Sequence, residues 1–117
     1  MAKSIIQVKT NRADRECFLC CYEAYMKNTW YEPSEEQRND MQKHHMMHGT
    51  ANRDIAERLG LWCYLCPRHH TEGTDAVHAK EGHGYDLFLM QVAQGRYEVL
   101  HSHEEWMEIF GKNYLIM

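Results

Sequence analysis

The chain has no apolar stretch longer than a few residues, far short of the ~20 that a membrane-crossing helix needs. Its leading segment, MAKSIIQVKT, lacks the apolar core of a secretory signal, so the expectation is a chain not marked for export. A basic excess is missing too. Thirteen Lys and Arg stand against 17 Asp and Glu, a net charge of −4, so no strongly basic surface announces a nucleic-acid binder. The cysteine count is five, and an odd number without a secretion signal argues against a disulfide framework and for the reducing cytosol. There is no internal repeat, and no linker long enough to divide 117 residues into two domains. Hydrophobic residues at 44% and charged residues at 26% exclude a disordered or collagenous chain.

Cysteine and histidine are what the chain has in excess. Seven of its nine histidines fall between His44 and His83, interleaved with Cys63 and Cys66. Scattered surface histidines would not cluster so, and metal chemistry is the first hypothesis. A structural zinc takes four S or N ligands in a tetrahedron, commonly as two pairs with two-residue spacing. Cys17 and Cys20 form the first pair. The second is either Cys66 with His69 or Cys63 with Cys66. Cys63 shares a strand face with Leu61 and Leu65, and a cysteine there fits core filling, so the spacing favours Cys66 and His69. Cys21 has no partner at ligand spacing and reads as a bystander.

The elements expected around these residues are short. Ser4–Val8 is either a strand or a frayed arm. Residues 21–43 read as a loop-rich excursion with a turn at Pro33-Ser34, and His44–Gly49 as a short strand ending in a turn. Thr50–Leu59 is predicted helical: Thr50 as N-cap, Ala51, Ile55 and Leu59 on one face, Gly60 at C′. Leu61–Leu65 is a predicted strand, and Pro67 opens a helix whose first turn holds His69 and His70. Gly73, Gly82 and Gly84 punctuate the stretch after that helix. An amphipathic helix is expected from Tyr85 to about Leu100, interrupted by an unfavourable Gly95, and a last helical turn with Trp106, Ile109 and Phe110 ends at Gly111.

Adjacent histidines on a strand point to opposite faces, so His44 and His45 suit different tasks. One can bind a metal while its neighbour takes a proton from an attacking water, for which an imidazole titrating near neutrality is well matched. A histidine from the following helix could hold the metal from the other side. The plain alternative is a His-rich surface that collects stray transition metals.

A His-His strand, a turn, and a strand ending in Leu-Cys-x2-[Cys/His]-His resembles the HNH nucleases of the ββα-metal fold in their zinc-stapled form. The match is closer still to small HNH-like proteins of phages and prophages of Gram-positive bacteria. The segments that carry it are Cys17–Cys20, KHHMMHGTANR at 43–53, GLWCYLCPRHH at 60–70, Ala76-Val77-His78 and IFGKNYL at 109–115. The resemblance implies an α+β fold: an N-terminal arm over 1–16, a ββα-metal core with its zinc knuckle over 17–83, and a C-terminal helical part over 84–117. It makes His44 and His70 ligands of a catalytic divalent metal (Mg²⁺, Mn²⁺, Ni²⁺ or Zn²⁺) and His45 the general base. His78 either completes that site or lines the phosphate path. Cys17, Cys20, Cys66 and His69 then hold the structural zinc. The chain departs from the family at the middle Asn, whose position is Leu61. Asn52 is the nearest substitute, although it is equally an ordinary helix-start residue.

The function implied is metal-dependent hydrolysis of DNA phosphodiesters in the cytoplasm of a bacterial host. Lys43, Arg53, Arg58 and Arg68 are the candidates to neutralise backbone phosphates, or else plain surface charges. The acidic balance predicts weak, sequence-tolerant and salt-sensitive DNA binding. The alternative is a zinc-stabilised module that keeps the fold, has lost turnover, and acts by contact with nucleic acid or with a phage or host protein.

Overall fold

A computed structural model describes residues 2–72, 76–78 and 83–115. Gly73 and Gly82, expected to punctuate the chain, lie outside the described residues. The elements run α1 (Phe18–Met26), α2 (Glu35–Asn39), β1 (Gln42–His45), α3 (Thr50–Leu59), β2 (Trp62–Leu65), a single π-helical turn (Arg68–Glu72), α4 (His83–Leu100) and α5 (His103–Phe110). β1 and β2 pair antiparallel, with Gln42 opposite Leu65, Lys43 opposite Tyr64, His44 opposite Cys63 and His45 opposite Trp62. The architecture is therefore α+β. No helix among the described residues is long and apolar enough to cross a membrane.

Strand alternation sorts β2 into two faces. Leu61, Cys63 and Leu65 are fully buried and meet Leu19, Met46, Met47 and Leu89 in the core. Cys63 is thus core filling, and burial pushes its thiol well above the usual range. On the other face Trp62 and Tyr64 pack edge to face and are capped by cations, Lys43 over the Trp62 ring and Arg15 over Tyr64, each at 3.9 Å. The N-terminal arm forms neither a strand nor a frayed end. It is laced along the outer edge of β2: the Ser4 hydroxyl donates to Trp62 O (2.6 Å), Ile5 N–H to Gly60 O (2.9 Å), and Tyr64 N–H to Gln7 Oε1 (2.8 Å). Gly60 is the close-approach point, at φ +76 with a hypothetical Cβ only 2.2 Å from Lys3 O.

α3 has the expected bounds, but Gly49, not Thr50, occupies the N-cap, without a side-chain hydrogen bond. The stretch read as loop-rich is half helical. Cys17 caps α1, its Sγ accepting from Cys20 N–H at 3.4 Å. Ser34 and Gln37 form a reciprocal capping box that starts α2. The strand predicted over His44–Gly49 is shifted to Gln42–His45; one further in-register bond, Met46 N–H to Leu61 O at 3.1 Å, closes the pair before the chain turns, with Met46 and Met47 buried. The tail is a full helix and not a last turn, since Ser102 caps α5 and Trp106 is fully buried, its indole N–H donating to Lys112 O at 2.8 Å.

Gly95 sits inside α4 with nothing within 4 Å of a would-be Cβ and no positive φ. Gly95→Ala is therefore expected to stabilise the protein by about 0.5–1 kcal/mol, a rise of a few degrees in Tm read by thermal melting.

Candidate metal centres

Two clusters of ligand-type side chains flank the end of the β-pair. The first joins Cys17 and Cys20, at the start of α1, to Cys66 and His69, just beyond β2. α1 packs against β2, and Cys17 and Cys20 are one turn apart, so both sulfurs face the same point. From His69 Nδ1 the sulfurs of Cys17, Cys20 and Cys66 lie at 3.4, 3.4 and 3.3 Å, and the Cys20 and Cys66 sulfurs are 3.7 Å apart. Tetrahedral zinc with Zn–S bonds of about 2.3 Å separates its sulfur ligands by about 3.7 Å, so the four atoms match the edges of such a tetrahedron. They do not match a disulfide, and all five cysteines are free. The cluster could hold a metal ion and is compatible with a structural zinc.

Crowding makes these groups share protons. Hydrogen bonding to Cys20 and Cys66, with burial, pushes Cys17 far up. Cys20 is drawn down by Cys17 and pushed harder the other way by Cys66 and burial, ending at about 11. The same contacts, from Cys17 and Cys20 first, hold Cys66 far below the thiol range. Burial lowers His69, but the sulfurs of Cys17 and Cys66 outweigh it and push it up to about 10. Behind the ring, Glu23 Oε1 faces His69 Nε2 at 3.2 Å, and Glu23 also pairs with Arg68 at 2.8 Å and accepts from the Tyr85 hydroxyl. Burial raises the Glu23 carboxyl, and Tyr85, His69 and Arg68 together bring it below the usual range. A carboxylate behind a ligating histidine leaves Nδ1 free to face the sulfurs.

The second cluster is His44, His70 and His78, each offering a nitrogen within 4.8 Å of the others. The ring of His44 is 5.4 Å from each of the other two, which are 4.6 Å apart. His70 follows His69 in the π-helical turn, where Cys66 O accepts from both backbone N–H groups, at 3.1 Å (His69) and 2.9 Å (His70). Val77 and His78 dock back on this turn through bonds to His69 O (2.8 Å) and His70 O (3.2 Å), which brings the two rings together. Gln42 Oε1 accepts from His70 Nδ1 at 2.6 Å, leaving His70 Nε2 to face His78 Nε2 at 3.0 Å. His44 is 3% exposed, and its Nε2 is a buried polar atom with no hydrogen-bond partner. Burial first, then the neighbouring His70 and His78, push His44 down to about 3, so its imidazole is neutral. A buried, neutral imidazole with an unpartnered ring nitrogen, beside two further imidazoles, fits a transition-metal ligand set.

This trio lines a cleft of about 340 Å³ that also reaches His45, Lys43, Arg53 and His48. His45 Nε2 lies 2.8 Å from Glu57 Oε1, and His48 Nε2 is 2.6 Å from Asp86 on α4. Not every predicted residue gathers here. Arg58 borders an apolar groove with Ile55, Leu59 and Ile109, and Arg68 sits at the cysteine cluster on Glu23. Asn52 is half-buried on α3 and is not among the cleft-lining residues, whereas Arg53 beside it is. Leu61 is wholly in the core, as an Asn there would not be. Sequence reading missed Glu23, Gln42, Glu57 and Asp86. Only Glu23 left a usable signal, lying one turn after Cys20 and two after Cys17 on α1. The chain matches no protein-family model, no curated protein and no solved structure.

Proposed function

We propose that this protein is a metal-dependent endonuclease with an HNH-like ββα-metal core, hydrolysing DNA phosphodiester bonds. The observation that carries the reading is the buried His44, whose Nε2 has no hydrogen-bond partner and whose ring meets those of His70 and His78 in a cleft that His45 shares. His44, His70 and His78 hold the catalytic divalent ion, and Cys17, Cys20, Cys66 and His69 hold zinc as a staple. When bound, the catalytic ion supplies charge stabilisation for the phosphoryl and leaving oxygens. The chain's own residues do the rest. His45 takes the proton of the attacking water. Arg53, exposed on the cleft wall, contacts a backbone phosphate. The antiparallel β1–β2 pair followed by the helical turn of His69 and His70 supports the fold assignment.

The test is nicking of supercoiled plasmid by purified protein with Mg²⁺, Mn²⁺ or Ni²⁺, and its absence with every ion would sink the nuclease. Arg53→Ala is expected to lower the slope of log affinity against log salt by about 0.9, the contribution of one phosphate contact. Arg58→Ala, away from the cleft, leaves that slope unchanged when both are followed by fluorescence anisotropy.

A second reading has its own support in Leu61, an apolar core residue at the middle-Asn position, and in the net charge of −4. It is a zinc-stabilised module that binds nucleic acid or a phage or host protein without turnover. Folded, metal-loaded protein that binds DNA and nicks nothing would establish it. A bacterial cytoplasmic setting and a phage origin go with either reading.

A further inference from the structure

The groups around His45 specify more than its identity. Lys43 and His45 are two residues apart on β1, so their side chains leave the same face of the strand, opposite to His44. That face meets α3, where Arg53 and Glu57 stand one turn apart on a common stripe. Glu57 Oε1 is 2.8 Å from both His45 Nε2 and Lys43 Nζ, and Glu57 Oε2 is 3.0 Å from the same ammonium. Lys43 is itself seated over the Trp62 ring at 3.9 Å. Lys43 first and His45 second hold the Glu57 carboxyl below its usual range. The group facing the imidazole is therefore an acceptor with no proton to give.

Resting on the nuclease reading above, we infer that Glu57 is the positioning residue of His45, fixing its proton on Nε2 so that Nδ1 is the atom that takes the proton of the attacking water. A carboxylate accepts from one ring nitrogen only if that nitrogen carries hydrogen, and the other nitrogen then holds the lone pair. Water gives its proton to Nδ1, its oxygen bonds to phosphorus, and the bond from phosphorus to the leaving oxygen breaks. The positive charge that forms on the ring is met by Glu57 across 2.8 Å. Lys43 is the anchor of this arrangement and not a free phosphate contact. Its ammonium spans both carboxylate oxygens and lies over the Trp62 ring.

The experiment pairs nicking kinetics with ¹⁵N NMR of zinc-loaded protein, in which long-range couplings report which ring nitrogen of His45 carries the proton. Wild type is expected to show Nε2–H, and Glu57→Ala a mixture of tautomers. Glu57→Ala should lose about 10²-fold in kcat, the cost typical of removing an orienting partner, with KM and zinc content unchanged. Glu57→Gln, whose amide oxygen still accepts from Nε2–H, should stay within about tenfold of wild type. A fold defect would instead lower zinc content and affect Glu57→Gln as well. Wild-type kcat in Glu57→Ala, or a proton on Nδ1 of wild-type His45, would overturn the inference and leave the nuclease standing. Failure of wild type to cleave with any of the ions would overturn the nuclease and this role with it.

Discussion

Replacing His45 by Ala is expected to abolish plasmid nicking while leaving zinc content, the thermal transition and DNA affinity as in wild type. His45 is half-buried at the end of β1, and among the described residues its side chain's one polar contact is the Glu57 carboxylate, so its removal opens no core cavity. Loss of a general base costs on the order of 10²–10⁴-fold in rate. That is enough to put nicking below background, and far more than any neighbour could restore. His48, the cleft-lining imidazole outside the His44, His70 and His78 trio, is tied to Asp86 on α4 and leaves the chain three residues later, beyond the strand. The measurement is a time course of supercoiled, nicked and linear DNA under the ion that best supports wild type. Unchanged nicking by a folded His45→Ala protein would remove His45 from the chemistry and move the search to the rest of the cleft.

The second large effect concerns the staple. Stripping the metal from Cys17, Cys20, Cys66 and His69, or replacing Cys17 by Ala, is expected to unfold the domain. The apparent binding free energy of a structural zinc is about 10–16 kcal/mol at neutral pH. Whole-domain stability is typically only about 5–15 kcal/mol. Cys17 is both a member of the cluster that could hold the ion and the N-cap of α1, and it is fully buried beside Leu19. Without the ion, the buried Cys17 and its neighbour Cys20 are thiols raised above their usual range and contribute no metal–ligand bond energy to the folded state. Acid should act in the same direction, because thiolate and imidazole ligands must lose protons to bind. Far-UV circular dichroism during chelator titration, with one equivalent of zinc released per chain as the signal falls, is the check. A chelated protein with an unchanged spectrum would show that the four side chains are not a staple.

The cysteine–histidine cluster was legible in the sequence because it follows a local rule, whereas the pairing of His44 with His70 was implied only by the family resemblance. The two-residue spacing of Cys17 with Cys20 and Cys66 with His69 is a property of the chain, and so is the Gly-bounded periodicity of α3. α1 and α2 were hidden for a different reason. Residues 21–43 are polar and aromatic, with no clear apolar stripe, and α2 is only five residues long. Its capping box at Ser34 and Gln37 was there to be read. What no local rule can supply is the set of orienting groups. Gln42 reaches His70 across 28 residues, and Glu57 reaches His45 across 12. Each is a long-range contact between ordinary surface-type residues, and only the folded backbone brings them together. His78 belongs to the same class: two backbone bonds to the π-helical turn carry it to His70.

His69 and His70 are consecutive, yet one faces the cysteines and the other the histidine cleft, and both amides hang from a single carbonyl, Cys66 O. Two ions held this way would not bind independently. Ordering the turn for the first would remove part of the entropy that the second would otherwise lose, so that occupancy of either site would tighten the other. Thermodynamic reciprocity makes the two enhancements equal. The zinc knuckle would then be a positive heterotropic effector of the cleft, and a scarcity of one metal would be felt as a lowered affinity for the other.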